Sequence, residues 1–406
     1  MSTLRLVTIQ NFKSILNQTL DLGRLNVFVG TNGSGKSNLL EALGMLSMAM
    51  GGTIDYQGME HRGMRLSTPE VFRSAFRDGK RVDTFNLACH WDNLHYLTEI
   101  HACDQSSEEE AWRFKYESLN FGNSRHTLVE REHLTGSLKE LLKTPLFKAN
   151  QGMVPLAVLL GKFSFQADKC VTALKKYAIY SPSTPILRGV SPDPSKRGPL
   201  GLYGGSLAPA LASWGQKQSI NSLFNLLEWA EDIDISLPDP ILQSAHLHTG
   251  RFVLTFQDRF MSKDMKHLYA YDVSEGALYI LFILTLLLHP ETPPILALDN
   301  VDSALNPGMI RNLIFKMGEI IHSQPERQVF LTSHNPATLD GLDLFNPEQR
   351  LFIVKRDKTT GATLFDRVQP PEGMTREEWA DQHGAMRLSE IWLSGALGGI
   401  TPPEGF

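Results

Sequence analysis

The segment GTNGSGKS, Gly30 to Ser37, decides the fold. It matches the pattern G-x-x-x-x-G-K-[ST], follows the apolar run LNVFV and precedes SNLLEALGML, which has helical periodicity. A glycine-rich loop between a strand and a helix directs backbone N–H groups and the positive end of the helix at phosphate oxygens. The segment therefore predicts a nucleotide phosphate site, and the alternative is an ordinary glycine turn that caps a helix.

The loop residues divide into groups with different expected roles. Lys36 is expected to reach the β- and γ-phosphates, and the Ser37 hydroxyl is expected to bind Mg²⁺. The other residues expected to contact the nucleotide are Asn32, Gly33, Ser34, Gly35 and Asn38. The predicted ligands are therefore ATP and Mg²⁺.

Two later strands end in residues that complete such a site. The apolar run PILALDN ends in Asp299, which can hold Mg²⁺ through a water. The run VFLTSH ends in His334, which can hydrogen-bond a γ-phosphate. Either feature alone is compatible with a purely structural role. Together with the upstream loop, in this order, they indicate a phosphate site.

A long apolar helix is predicted directly after Ser274, in DVSEGALYILFILTLLL. Ser274 is a natural N-cap, and the first turn, with Gly276, lies at the positive end of the helix dipole. An ordinary helix cap is the alternative interpretation of this segment alone.

Taken together, the chain resembles the RecF/SMC-like branch of ABC-type ATPases, in the bacterial AAA group called overcoming-lysogenization-defect-like. The matching segments are IQNFKSI (9–15), GTNGSGKSN (30–38), SEGA (274–277), LALDN (296–300), SALNP (303–307) and LTSHNP (331–336). The resemblance implies an α/β, ABC-type P-loop ATPase head with an inserted, mainly helical subdomain. It also implies a homodimer or higher homo-oligomer, with ATP held between Lys36 of one subunit and Ser274 of another.

The sequence departs from this family at two acidic positions. Asn300 stands where a catalytic glutamate follows the magnesium aspartate, and Asn306 stands where the S-A-L-D-P run has aspartate. An asparagine cannot accept a proton, and loss of a general base typically costs about 10²–10⁴ in rate. Slow hydrolysis is therefore expected, with Asn300, Asp302 and His334 as the candidate catalytic residues. Asp302 or a partner protein could supply the missing base.

The order of patterns predicts four regions. Residues 1–124 form a first ATPase lobe with the loop and antiparallel strands, and 125–240 form a helical insertion with a mobile loop at 181–206. Residues 241–370 form a second lobe, and 371–406 form a C-terminal tail helix. The tail either docks a partner or packs on its own ATPase core. Only 72 residues follow His334, too few for the TOPRIM nuclease domain of the overcoming-lysogenization-defect nucleases.

Composition limits the class of protein. The 406-residue chain is 42% hydrophobic and 20% charged with a net charge of −5, which is ordinary for a globular protein and unlike a basic nucleic-acid binder. The apolar run 277–288 is shorter than the roughly 20 residues of a membrane-spanning helix. Three cysteines without paired spacing fit a reducing, cytoplasmic setting.

Three functions remain open from the sequence. The resemblance favours the ATPase half of a two-component anti-phage system, such as Septu or PARIS, that controls a separately encoded nuclease or toxin. The alternatives are a RecF-like DNA-repair ATPase and a scaffold whose ATP never turns over. DNA contact is possible through the basic stretch 61–81, although a solvated helix face is the commoner meaning. A glutamine that contacts Mg²⁺ cannot be assigned among Gln57, Gln105 and Gln166.

Overall fold

The structure is a computed structural model. It describes residues 3–77, 79, 81–103, 111–122, 126–130, 148–159, 164–215, 226–237, 252–262 and 267–398. Several sequence features lie outside these residues: the helical pattern LTGSLKELLK, the acidic loop at 104–110, Gln105 and the last eight residues.

The strands are β1 Leu6–Phe12, β2 Ile15–Asp21, β3 Leu25–Val29, β4 Thr84–His90, β5 Leu94–Ala102, β6 Trp112–Phe121, β7 His126–Glu130, β8 Ile179–Tyr180, β9 Ala230–Ser236, β10 Val253–Asp258, β11 His267–Tyr269, β12 Ile295–Leu298, β13 Gln328–Ser333, β14 Gln349–Arg356 and β15 Thr363–Val368. The helices are α1 Lys36–Gly51, α2 Tyr56–His61, α3 Val154–Leu159, α4 Phe165–Lys175, α5 Thr184–Leu187, α6 Leu207–Trp214, α7 Glu275–Leu288, α8 Pro307–Ser323, α9 Arg376–Gln382 and α10 Leu388–Leu393. Two 3₁₀ helices span Pro69–Phe72 and Pro336–Gly341.

A six-stranded central sheet positions the site. Its order is β15-β14-β3-β13-β12-β8, and all neighbours are parallel except β15. Because β3, β12 and β13 are buried on both faces, their sequences are mainly apolar and do not alternate between apolar and polar residues. Parallel strands place their carboxyl ends at one edge. That edge carries Gly30 after β3, Asp299 after β12 and His334 after β13.

Helix α1 lies between two sheets. Of its 16 residues, 13 are buried, which explains why its sequence is apolar around most of its circumference. One side faces the central sheet, where Phe28 stacks on Phe352 at a centroid distance of 5.0 Å. The other side faces an antiparallel sheet of order β2-β1-β4-β5-β6-β7, so the antiparallel strands predicted before residue 124 are confirmed.

The opposite face of the central sheet packs on α7 and α8. Helix α7 begins at Glu275, directly after Ser274 as predicted, and α8 begins at Pro307. Helix α7 buries 11 of its 14 residues, ten of them in the hydrophobic core on this face of the central sheet, so the apolar run at 277–288 is a core helix. Among the described residues, no helix is long and apolar enough to cross a membrane.

The region 125–240 contains helices and strands in its described parts. Helices α3 to α6 lie there, but β8 pairs with β12 at the edge of the central sheet. The segment 181–206 is mostly irregular, as expected for a long loop, and contains the short helix α5. Asp193 organises it by accepting backbone hydrogen bonds from Ser195 at 2.8 Å and Gly205 at 2.9 Å.

The basic stretch 61–81 does not form one solvated helix face, so this part of the sequence prediction is wrong. Arg62 and Arg73 are buried, and Arg62 donates to backbone carbonyls and the Ser47 hydroxyl. Arg81 pairs with Glu70 at 3.1 Å. Two of the five arginines are thus used inside the fold, where their guanidinium groups satisfy carbonyl and carboxylate oxygens.

The C-terminal tail forms two short helices where one was expected. Helix α10 packs on the core: Trp392 is buried, and Ser389 donates from its backbone and hydroxyl to Asp340 at 2.9 and 2.8 Å. Helix α9 buries none of its residues. The contacts of α10 favour the expectation that the tail packs on its own ATPase core.

Candidate functional site

The glycine loop has the backbone that its sequence requires. Gly33 and Gly35 have φ angles of +76° and +106°, in the region that side chains with a Cβ rarely adopt. A Cβ on Gly35 would also lie 2.1 Å from the hydroxyl of Thr363. Asn32 and Gly33 form the exposed tip, whereas Ser34 is buried and its hydroxyl has no hydrogen-bond partner among the described atoms. The loop thus keeps an unused donor inside its curve.

Lys36 folds back into this loop. Its ammonium group donates to the carbonyls of Gly30 at 2.8 Å and Thr31 at 3.0 Å, and to His334 Nδ1 at 3.2 Å. Burial lowers the pKa of Lys36 to about 8, although the negative charges of Asp299 and Asp302 act in the opposite direction. The structure therefore brings together the loop lysine and the strand-end histidine, the two residues that the sequence analysis expects at the γ-phosphate.

Ser37 and Asp299 meet at the start of α1. The Ser37 hydroxyl lies 3.0 and 3.2 Å from the two carboxylate oxygens of Asp299. The hydroxyl of Thr332, on β13, also donates to this carboxylate. A hydroxyl and a carboxylate at a helix N-terminus are the hard oxygen ligands that Mg²⁺ prefers, so these residues fit the metal. Thr332 was not predicted from the sequence, because a threonine inside an apolar strand has no distinctive pattern.

Asn300 is held by two contacts. Its backbone has a φ of +54°, and its N–H donates to the Thr332 hydroxyl at 2.8 Å. Its side-chain oxygen lies 3.1 Å from His334 Nε2. His334 Nδ1 lies 3.2 Å from the Lys36 ammonium, which can only donate, and 3.2 Å from the Gly30 carbonyl, which can only accept. The two contacts call for opposite ring tautomers, so the fixed feature is the proximity of the His334 ring to both Lys36 and Asn300.

Asn38 and the turn at 11–15 support the loop from outside. Asn38 donates to Ser14 at 2.7 Å and accepts from Arg65 at 2.8 Å, so its amide is engaged within the protein. Arg65 and Lys13 both pair with Glu41, whose carboxylate is buried. Burial raises the pKa of Glu41, but hydrogen bonds from Arg65 and the charge of Lys13 outweigh it and lower the pKa overall.

The predicted signature residues lie at the start of α7. Ser274 occupies the N-cap position but accepts no side-chain hydrogen bond there, and it is exposed. Thr184, in the 181–206 loop, donates to the carboxylate of Glu275. A Cβ on Gly276 would lie 3.1 Å from the carbonyl of Ala304, so this glycine allows close packing within the chain. In the described chain, Ser274 makes no hydrogen bond to the Lys36 loop.

Two more predicted residues have local structural roles. Asn306 caps α8, with its side-chain oxygen accepting from Met309 N–H at 2.9 Å. Gln57 is exposed on α2, and Gln166 is exposed on α4. Neither glutamine hydrogen-bonds a site residue in the described part of the chain, so the glutamine contact to Mg²⁺ stays unassigned.

Two family models match parts of the sequence. Residues 3–146 match a model described as "AAA ATPase domain", and residues 233–340 match "AAA domain, putative AbiEii toxin, Type IV TA system". No protein of curated function matches the sequence significantly. The two matched ranges contain, respectively, the glycine loop and the Asp299 and His334 strand ends.

Solved structures with a similar fold include SMC head domains. An SMC head bound to the C-terminal winged-helix domain of ScpA is 12% identical, with 91% of this chain and 99% of that chain covered and a TM-score of 0.55. An SMC head with an extended coiled coil, bound to the C-terminal domain of ScpA derived from Pyrococcus furiosus, is 9% identical, with coverages of 94% and 98% and a TM-score of 0.50. The fold is the ABC-type P-loop ATPase fold of SMC heads, and the matches support an ATPase of the AAA/SMC-like type.

Proposed function

We propose that the protein is an ATP-operated switch that forms a homodimer around two nucleotides and hydrolyses them slowly. One observation carries the proposal: Lys36, Ser37, Asp299 and His334 converge at one sheet edge, while an asparagine occupies the position of the usual base. The groups that bind a triphosphate are complete, and Asn300 cannot take a proton from water.

The geometry suggests how the γ-phosphate is sensed. In the structure, the Lys36 ammonium group contacts two backbone carbonyls and His334 Nδ1. A bound triphosphate competes for the same ammonium group, which frees His334 Nδ1 and allows the ring to turn. Ser37 and Asp299 would hold Mg²⁺, which neutralises charge on the β- and γ-phosphates. His334 also contacts Asn300, so a change at the lysine reaches the position next to the attacking water.

The second half of each site comes from another subunit. Ser274 lies at the positive end of the 14-residue helix α7, is exposed, and has a hydroxyl that does not cap its own helix. A helix N-terminus with free donors suits an anion. We infer that it contacts the γ-phosphate held by Lys36 of the partner subunit, so that ATP joins two chains.

The family matched at 233–340 is described with a toxin of a toxin–antitoxin system, which supports a role in defence. In this proposal the dimer is the cytoplasmic sensor and scaffold of an anti-phage complex and controls a separately encoded nuclease or toxin.

The RecF-like DNA-repair alternative gains no support from the 61–81 stretch, because most of its arginines are buried or paired.

Steady-state phosphate release tests the slow switch. The wild-type protein should turn over well below about one ATP per second, because a missing base typically costs about 10²–10⁴ in rate. Asn300→Glu should raise the rate, and Asn300→Ala should leave it slow. Turnover near one per second that is abolished by Asn300→Ala would falsify the slow-switch proposal.

Light scattering and a pull-down test the assembly. ATP with Mg²⁺ should convert the wild-type protein to a dimer. Lys36→Ala should stay monomeric because it no longer binds the nucleotide. Ser274→Ala should bind the nucleotide but also stay monomeric, because it lacks the contact to the partner subunit. The neighbouring gene product should be captured differently with and without ATP. If Ser274→Ala dimerises like the wild type, the proposed trans contact is wrong.

A further inference from the structure

Asp302 holds an unused carboxylate oxygen inside the site. Its Oδ2 accepts the backbone N–H of His334 at 3.2 Å. Its Oδ1 is buried and has no hydrogen-bond partner among the described atoms. A buried carboxylate oxygen without a donor is costly, so such groups are commonly kept for a ligand or reacting molecule.

Two residues of the site, Lys36 and His334, are coupled to this carboxylate. The negative charges of Asp299 and Asp302 both raise the pKa of Lys36 against the larger effect of burial. His334 approaches from the end of β13 and fixes Asp302 through its backbone. Because His334 contacts Asp302 through its backbone and Lys36 through its ring, the carboxylate lies one residue away from the loop lysine in this network.

Asn300 cannot perform the proton transfer. It has no carboxylate, and its side-chain oxygen is already in contact with His334 Nε2 at 3.1 Å. Asp299 is also unsuited, because its oxygens receive the hydroxyls of Ser37 and Thr332 and face the predicted metal position. Among the described acidic groups that contact the site, Asp302 alone presents a free buried oxygen.

We propose that Asp302 is the catalytic base of this ATPase, with Oδ1 accepting the proton of the attacking water. The inference rests on the proposed function, since it requires ATP at Lys36. The water oxygen forms the new bond to the γ-phosphorus, and the bond from that phosphorus to the β,γ-bridging oxygen breaks. The water proton passes to Asp302 Oδ1 and later to solvent, and the products are ADP and phosphate.

In this assignment, Asp302 gives a site without the usual glutamate its route to the slow hydrolysis proposed above. Asp302 is tied to the His334 backbone, whereas the His334 ring contacts Lys36 and Asn300. The same residue that senses the phosphate thus positions the base. The reaction is therefore linked to the state of the switch.

Asp302→Asn tests the proton transfer with little change in shape, because the amide oxygen can still accept the His334 N–H. We expect ATP-dependent dimerisation to persist within twofold and single-turnover hydrolysis to fall by about 10²-fold or more. Glu326→Gln is the matched control, since it makes the equivalent change at an exposed ion pair with Lys169 and should hydrolyse ATP like the wild type.

Chemical rescue separates a direct role from a structural one. Asp302→Ala should be slow and should regain hydrolysis as formate is added, whereas Asn300→Ala should not respond to formate. The assignment is overturned if Asp302→Asn hydrolyses within threefold of the wild type, if the wild-type dimer has no measurable turnover, or if formate leaves Asp302→Ala unchanged. Failure of every variant and of the wild type to dimerise with ATP would instead contradict the proposed function.

Discussion

At the scale of single residues, Lys36 couples nucleotide binding to pH. Burial holds its pKa at about 8 in the free protein, so the side chain is an ammonium below that pH and loses its proton above it. A bound triphosphate adds negative charge beside the lysine and raises its pKa. ATP binding therefore takes up a proton between about pH 8 and the pKa of the complex.

We predict that ATP affinity is nearly constant from pH 7 to about pH 8 and then falls by up to about tenfold per pH unit, as linkage requires. Isothermal titration in the presence of Mg²⁺ checks this, and two buffers with different ionisation enthalpies measure the proton uptake directly. Lys36→Arg is the control, because arginine stays charged and its affinity should not change over this range. A wild-type affinity that is flat to pH 9.5 would contradict the prediction.

The contribution of Lys36 to protein stability changes with pH in the opposite direction to ATP affinity. The folded pKa of Lys36 lies below its ordinary value of 10.5, so the unfolded chain binds more protons between about pH 8 and 10.5. The contribution of this residue to the free energy of unfolding of the ATP-free protein therefore rises with pH across that window, while ATP affinity falls. If the free energy of unfolding and the ATP affinity both fell across this window, the result would indicate general alkaline unfolding instead.

The backbone of Asn300 gives a physical reason for this residue type. Its φ of +54° lies in the left-handed region, which asparagine adopts more readily than glutamate. The sequence was sufficient to predict the loss of a proton acceptor at this position. It could not predict the contacts of Asn300 to Thr332 on β13 and to His334 just after that strand, because both partners lie more than 30 positions away.

At the scale of elements, a buried ion-pair cluster joins the turn at 11–15 to α1. Glu41, on α1, pairs with Lys13 of the turn and with Arg65 beyond α2. The side chains of Lys13 and Glu41 are only 6% and 3% exposed, and the backbone of Lys13 is left-handed, with a φ of +49°. The charges therefore hold an unfavourable turn against the helix that begins at the phosphate loop.

We predict that Glu41→Gln lowers the free energy of unfolding by about 3–5 kcal/mol, because it leaves a buried cation without its partner. Since the folded pKa of Glu41 is lowered, this contribution is present above the ordinary glutamate pKa and is lost as the pH falls through the folded value. Urea unfolding at neutral and acidic pH measures both effects. Glu319→Gln is the control, since its exposed pair with Lys316 should contribute no more than about 1 kcal/mol. Equal effects of the two variants would show that burial of the cluster is unimportant.

Elements with a strong local pattern were predictable. The sequence anticipated α1 from its helical periodicity after the glycine loop, and α7 from the apolar run that follows Ser274. It failed at β8, which has only two residues, and in the 61–81 stretch, where the partners of the arginines come from distant segments. Such partners leave no pattern in the local sequence.

At the scale of the whole molecule, the site depends on strands from both ends of the chain. Strand β3 lies between β13 and β14 in the central sheet, so the phosphate loop of the first region is completed by Asp299 and His334 of the last. Motif order was enough to predict that these residues act together, because each follows a parallel strand. The roles of Thr332 and Thr363 emerged only from their packing against the loop and the carboxylate.

The C-terminal helices offer a test of where the ATPase body ends. Trp392, on α10, is 4% exposed and belongs to the hydrophobic core that contains α7 and α8. Trp379 lies on α9, which has no buried residues. We predict that Trp392→Ala lowers the free energy of unfolding by about 3–5 kcal/mol, because a large buried aromatic group leaves a cavity. Trp379→Ala, the matched control, should change it by less than about 1 kcal/mol. Urea unfolding followed by circular dichroism compares the two. If both variants are equally stable, α10 is only loosely attached, and the tail becomes a candidate surface for a partner instead of part of the core.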